Sequence, residues 1–212
     1  MLTKWNKDNC SYNYNTKTLT ITATEIDNST YTASKDHPIN PIQIAWNLDG
    51  VDPKTPIDTN NIECIVIKNR LAFKGDASSL FSGLPNLKKI ERLINLDTKK
   101  VTNMKLMFAS DPKLTSVVLS VFNTSVVTDM MGMFMDDSSL TSLNVSNFVN
   151  SNVTDMSYMF AINDTFNPDN KLDANDTPKL TEIKGLDKFD TTSAKQMHNT
   201  FSNQKCFNVF RH

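Results

Sequence analysis

Hydrophobic positions in this chain recur at a nearly constant interval of 26 residues. Three ten-residue segments, 99–108, 125–134 and 151–160, read KKVTNMKLMF, SVVTDMMGMF and SNVTDMSYMF, so methionine and phenylalanine keep their places while their neighbours change. These segments alternate with apolar blocks of the form Leu-x-x-Ile, Leu-x-x-Val or Leu-x-x-Leu, which begin at Leu87, Leu114, Leu140 and Leu180. Self-similarity at a period of roughly 20–50 residues is typical of stacked structural units. The pattern therefore predicts a repeat protein.

One unit of the pattern predicts a strand, a turn and a short helix. In residues 140–148, LTSLNVSNF, leucine and valine alternate with serine and asparagine, which is the period of a strand with one buried face. After the polar turn VNSN, Val153, Met156 and Phe160 recur at i, i+3 and i+7, the stripe of a short helical or 3₁₀ segment. Because one unit cannot bury its apolar side alone, we expect about six units to stack as an α/β solenoid with parallel strands.

The period divides the chain into two regions. Residues 1–61 lie outside it and carry strand-like apolar pieces at 18–24 and 42–46, so we expect an N-terminal β cap over the open end of the sheet, or else a separate small domain. Residues 62–212 form the predicted solenoid, whose last row is incomplete. Residues 161–178 interrupt the period and are expected to form an insertion loop.

The repeat itself resembles a known family. Residues 114–134, LTSVVLSVFNTSVVTDMMGMF, and 140–160, LTSLNVSNFVNSNVTDMSYMF, are similar to the BspA-like leucine-rich-repeat surface proteins of bacteria. The resemblance covers about 87–201 and implies a leucine-rich-repeat-like stack. It also implies a secreted or cell-surface-attached bacterial protein that adheres to host matrix, mucosal or microbial ligands.

Composition excludes some other classes. A net charge of −1 argues against a general nucleic-acid binder, and no apolar run approaches the roughly 20 residues of a membrane span, so membrane insertion is not expected. We expect a monomer. Charge is uneven, because residues 68–105 carry nine Lys or Arg against three acids, while 106–178 carry two Lys against nine Asp. Such blocks either steer a charged partner or are merely solvated faces.

No catalytic or metal-binding constellation is visible. His37, His198 and His212 have no nucleophile or carboxylate at catalytic spacing, so we expect a non-enzyme without cofactors. The thioethers of 130–135, MMGMFM, could bind copper(I), but they occupy inward positions and are interpreted as core. The Asp- and Asn-rich insertion 161–178 could hold calcium, yet its spacing does not fit an EF-hand, so a polar loop is favoured.

Of the three cysteines, Cys10, Cys64 and Cys206, only Cys10 and Cys64 are considered as a disulfide pair, and buried thiols are the favoured alternative.

The predicted strands present a polar outer face. Its expected positions are Lys89, Glu91, Ser116, Val118, Ser120, Ser142, Asn144, Ser146, Glu182 and Lys184. Small hydroxyl and amide side chains suit a sugar or an extended polypeptide, so this face is the candidate ligand site, with a solvated face as the alternative. The expected function is adhesion to a host matrix or mucosal protein or glycan. A structural spacer of a larger surface protein and a polysaccharide-binding accessory domain are the alternatives.

Overall fold

The computed structural model describes residues 9–28, 59–162 and 177–204. Within these ranges the regular elements are strands and three single 3₁₀ turns, Thr59–Asn61, Leu93–Asn95 and Leu186–Lys188. The strands are β1 (Cys10–Asn13), β2 (Thr18–Ile21), β3 (Glu25–Asn28), β4 (Cys64–Ile67), β5 (Leu71–Asp76), β6 (Lys89–Glu91), β7 (Leu96–Asn103), β8 (Ser142–Asn144) and β9 (Glu182–Lys184).

The described strands form three sheets. One has the order β1-β2-β4-β6, a second has the order β3-β5-β7, and the third consists of β8 and β9. The pairing of β1 with β2 is antiparallel and every other pairing is parallel. The strands of the N-terminal region thus continue the sheets of the later ones, since β2 pairs with β4 and β3 pairs with β5.

The prediction of an α/β solenoid with short helices is wrong. The described residues contain no α-helix, and their mixed and parallel sheets do not close into a solenoid of strand–turn–helix units. The segment expected to be helical bonds instead to the segment that follows it in the pattern. The Leu106 N–H donates to the Met131 carbonyl at 2.8 Å and the Phe108 N–H donates to the Met133 carbonyl at 3.0 Å.

Tight turns between these contacts explain why the periodicity was misleading. The Met107 N–H donates to the carbonyl of Met104, three residues earlier, and Leu106 between them has a left-handed φ of 54°. A residue with positive φ cannot belong to a right-handed helix. Val101, Met104 and Phe108 are nonetheless buried at the spacing i, i+3 and i+7. The spacing of the apolar residues therefore could not distinguish these turns from a short helix.

The larger of the two buried apolar clusters contains the repeated phenylalanines. Five phenylalanine rings stack in a column with centroid separations of 5.3–5.8 Å, in the order Phe81, Phe108, Phe134, Phe160 and Phe201. Met130 is fully buried and Phe134 is 2% exposed, which confirms that these positions of the segment 130–135 pack in the core.

Several sequence predictions fall outside the described ranges. The insertion with its possible calcium ligands lies mostly outside them, at 163–176. The ranges 29–58 and 205–212, which contain His37, Cys206 and His212, also lie outside them. Cys10 and Cys64 are buried and form no disulfide; they lie on β1 and β4, on either side of β2.

Candidate ligand-binding face

The outer face of β2, β4 and β6 is built by strand alternation. Ile65 and Ile67 of β4 are fully buried, so Cys64 and Val66 lie on the opposite face of the strand. The register then sets neighbours side by side in two rows across the three strands. The rows are Thr18, Cys64 and Lys89, followed by Thr20, Val66 and Glu91.

A concavity of about 290 Å³ lies on this face. We call it the β4–β6 cavity. It is lined by Thr16, Thr18, Glu63, Cys64, Val66, Lys88, Lys89 and Glu91. Two of the residues predicted for the ligand face, Lys89 and Glu91, are therefore brought together with hydroxyl, thiol and further charged side chains.

Ion pairs organise the charges around the cavity. The Glu63 carboxylate accepts hydrogen bonds from Lys17 Nζ at 2.7 Å and from Lys88 Nζ at 2.6 Å, and these lower the pKa of Glu63 to about 2. Lys89 Nζ lies 2.5 Å from Glu91 Oε1, and their hydrogen bond raises the pKa of Lys89 and lowers the pKa of Glu91. The rim of the cavity therefore alternates cationic and carboxylate side chains.

Cys64 contributes a protonated thiol to the cavity wall. Burial raises the pKa of this thiol, and the charge of Glu91 raises it further. A thiol with a raised pKa is a poor nucleophile, because the thiolate is the reactive form. The cavity can thus donate and accept hydrogen bonds from a polar ligand, but its one cysteine is not activated.

The remaining predicted positions are exposed but belong elsewhere. Ser142 and Asn144 on β8 face Glu182 and Lys184 on β9 in register, and Ser146 lies two residues after the end of β8. Ser116, Val118 and Ser120 are also exposed, in a stretch that forms no strand between β6 and β8. The structure therefore places the ten predicted positions on two separate sheets and an irregular segment, not on one continuous face.

Six of the eight residues that line the cavity were not predicted from the sequence. Thr16, Thr18, Glu63 and Cys64 become neighbours of Lys89 only because β2 pairs with β4 across a sequence separation of 46 residues, as in the pair Thr18 and Cys64. The strand-like alternation of 18–24 was visible, but its partner strand and register were not. Within the described ranges, no group of three or more His, Cys, Asp or Glu residues is arranged to hold a metal ion.

Comparison with protein families identifies the class of the chain. The family described as Mycoplasma protein of unknown function, DUF285, matches residues 75–186 and 173–210. Together these stretches cover more than half of the 212 residues, so the chain belongs to this family. The family is related to the BspA-like surface repeat proteins, although the match is not to the leucine-rich repeat itself. No curated protein and no solved structure gives a significant match to the chain.

None of the described segments is a helix with the length and apolar character needed to cross a membrane.

Proposed function

We propose that this protein is a non-catalytic interaction module of a bacterial cell surface or the extracellular space, and that it binds its partner through the β4–β6 cavity and the strand face around it. The single observation that carries the proposal is the cavity of about 290 Å³ lined by paired charges and hydroxyls. Ligand sites are typically concave, with a few converging polar groups that fix the orientation of the ligand. The relationship of the family to surface repeat proteins supports a surface role.

The chemistry of the cavity favours a polar partner. Thr16 and Thr18 offer hydroxyls, while Lys89 and Glu91 offer a donor and an acceptor 2.5 Å apart. Hydroxyls of a sugar or the peptide groups of an extended polypeptide can use both kinds of group. The proposed partner is therefore a host matrix or mucosal protein or glycan, bound by a monomer and without nucleic acid, membrane insertion or a cofactor.

The protonated state of the Cys64 thiol supports a role without catalysis. A cysteine nucleophile needs a lowered pKa, and here burial and the nearby Glu91 act in the opposite direction. We therefore assign Cys64 to the wall of a binding cavity.

A direct test is binding of the purified chain to immobilised fibronectin, collagen, mucin and bacterial wall polysaccharide, at low and at physiological salt. Saturable binding to a protein or glycan of this panel, at micromolar strength or better, is the expected result. Binding to wall polysaccharide alone would favour the accessory-domain alternative. The absence of binding to every member of the panel would contradict the proposal and favour the structural spacer.

A further inference from the structure

A ladder of backbone hydrogen bonds joins successive segments of the repeated region. Each segment donates N–H groups to the carbonyls of the segment that follows it. In the last bonded pair, at 2.8–3.0 Å, the donors Met156, Tyr158 and Ile162 meet the acceptors Gln196, His198 and Ser202. The same three columns of donors run through the two segments before, at Met104, Leu106, Ser110, Met130, Gly132 and Asp136.

Residues 196–203 continue this ladder on one side only. We call them the end segment. Their carbonyls accept bonds from the segment before, but the N–H groups that continue the three donor columns, those of Met197, Asn199 and Asn203, have no acceptor among the described residues. The φ of Asn199 is 53°, close to the 59° of Tyr158 in the same column, so the end segment keeps the local backbone conformation of a bonded one.

The end segment also exposes apolar side chains at positions that are buried in the preceding segment. Met197 is 46% exposed, whereas Met156 is 1% exposed. Phe201 stacks on Phe160 with ring centroids 5.3 Å apart, yet Phe201 is 39% exposed and Phe160 only 1%. Backbone donors and large apolar groups therefore lie side by side at the surface. A polypeptide edge with unpaired backbone groups is a template for pairing with another chain.

The charge around the end segment does not favour a charged polymer. Residues 182–204 carry three lysines against three carboxylates, so their net charge with neutral histidine is zero. A lipid surface is disfavoured as well, because hydrocarbon offers no acceptor to the N–H groups of Met197, Asn199 and Asn203. A second polypeptide supplies both requirements, since its carbonyls accept hydrogen bonds and its apolar side chains pack against Met197.

We propose that the end segment binds an extended segment of another protein, which pairs its carbonyls with the N–H groups of Met197, Asn199 and Asn203. In strand addition of this kind, main-chain hydrogen bonds supply affinity and the packing of side chains supplies specificity. The bonded segments define the partner. It runs parallel to the end segment, as the bridge between Asp155 and Gln196 is parallel, and it carries two large apolar side chains four residues apart.

This site is separate from the β4–β6 cavity, since no residue of the end segment lines that cavity. The proposal therefore stands or falls independently of binding in the cavity.

The test uses the full chain and a fluorescein-labelled peptide that copies residues 151–162, SNVTDMSYMFAI, a segment that fills the equivalent place one step earlier in the ladder. A control peptide carries serine in place of its two core residues, Met156→Ser with Phe160→Ser. The variant of the protein is Met197→Glu, and its matched control is Val118→Glu, at a valine that is 54% exposed elsewhere in the array. Melting curves should be unchanged in both variants, because both side chains are exposed.

Fluorescence anisotropy should show saturable binding of the first peptide to the wild type and to Val118→Glu. Met197→Glu should bind about tenfold more weakly, because its carboxylate would be buried against an apolar side chain of the peptide. The control peptide should also bind about tenfold more weakly. Hydrogen exchange of the wild type, followed by NMR, should slow at the N–H groups of Met197, Asn199 and Asn203 when the first peptide is added.

Four results would overturn the proposal. They are no binding of the first peptide, equal affinity of the two peptides, equal affinity of Met197→Glu and the wild type, and unchanged exchange at the three N–H groups despite binding. Light scattering gives a further check on the identity of the partner. If the wild type formed concentration-dependent dimers that Met197→Glu abolished, the end segment would bind a second copy of this chain, which also contradicts the proposal.

Discussion

At the scale of single residues, two fully buried carboxyl groups make stability depend on pH. Asp111 Oδ1 accepts the Leu84 N–H at 2.8 Å, and Asp137 Oδ1 accepts the Asp111 N–H at 2.9 Å. The second oxygen of each group is buried without a hydrogen-bond partner in the described structure. Burial raises the pKa of both carboxyls well above the usual range, and the Asp137 charge adds to the effect on Asp111.

Stability is therefore expected to fall as the pH rises. The folded protein holds these protons at pH values where the unfolded chain has released them, so their contribution is complete below the ordinary pKa near 3.8 and is lost as pH rises through the raised values. Each proton that the folded state binds in excess of the unfolded state lowers the free energy of unfolding by about 1.4 kcal/mol per pH unit. Urea unfolding between pH 4 and pH 8 should show a decline in the wild type and a shallower one in Asp111→Asn. An identical slope in the two proteins would refute this role of Asp111.

Two glycines with positive φ differ in what surrounds them. A Cβ on Gly185, at φ 92°, would lie 2.3 Å from the Cα of Ser146, whereas a Cβ on Gly83, at φ 68°, would meet nothing within 4 Å. Gly83→Ala should cost only the left-handed strain, about 1–2 kcal/mol. Gly185→Ala should cost clearly more, because the backbone at Ser146 must move as well. Denaturant unfolding of both variants measures the difference, and equal losses would show that the approach of Gly185 to Ser146 is not tight.

At the scale of elements, the side chains of buried threonines link neighbouring segments that are not paired as strands. Thr124 Oγ1 donates to the Val149 carbonyl at 2.9 Å and accepts the Val149 N–H at 2.8 Å. Thr98 makes the same pair of bonds with Asn123. One hydroxyl can do this because it is both a donor and an acceptor. These side chains hold successive segments together without regular strands.

Replacing Thr124 by Val keeps its shape and removes both bonds. The Val149 N–H and carbonyl then lose their partner, so we expect a loss of about 2–3 kcal/mol in the free energy of unfolding. The matched control is Thr128→Val, because Thr128 is exposed and, among the described residues, its hydroxyl makes a single bond, to the Thr102 carbonyl at 3.2 Å. The control should change stability by less than about 0.5 kcal/mol. If both variants were equally stable, the bridging role of Thr124 would be wrong.

The sequence predicted some elements well and others poorly, for reasons that lie in the backbone. The alternation of apolar and polar residues around Leu143 predicted the strand that the structure shows as β8. A repeat of two residues is typical of a strand with one buried face and fits few other conformations. Residues 114–120, LTSVVLS, look equally strand-like but form no strand, because pairing depends on neighbours that a local pattern does not reveal. The prediction of helices was wrong because Leu106 and Ser110 adopt a positive φ, which the identity of these residues does not indicate.

At the scale of the whole molecule, the phenylalanine column links every described part of the repeated region. Phe134 lies between Phe108 at 5.5 Å and Phe160 at 5.8 Å, with rings within 4° of parallel. The sequence interval of 26 residues predicted these positions without predicting the elements that carry them. The candidate site was harder to predict, because the β4–β6 cavity is created by the pairing of distant strands.

Breaking the column should destabilise the entire array. Phe134→Ala is expected to lower the free energy of unfolding by about 3–5 kcal/mol, and Phe134→Asp should unfold the protein. Ser142→Ala, at an exposed position on β8, should leave the melting temperature unchanged. Thermal melts followed by circular dichroism compare the three. A Phe134→Asp protein that melts at the temperature of the wild type would contradict the packing described here.

Binding through the β4–β6 cavity can be tested by the affinity of two charge-exchange variants for a ligand of the fibronectin, collagen, mucin and wall-polysaccharide panel. Lys89→Glu with Glu91→Lys reverses the ion pair in the β4–β6 cavity, and Glu182→Lys with Lys184→Glu reverses the equivalent pair on β9, where the charges lie 3.8 Å apart. Both preserve net charge and exposure. The cavity variant should lose about tenfold or more in affinity, while the β9 variant should bind like the wild type. Unchanged affinity in the cavity variant, or an equal loss in both, would contradict binding through the cavity.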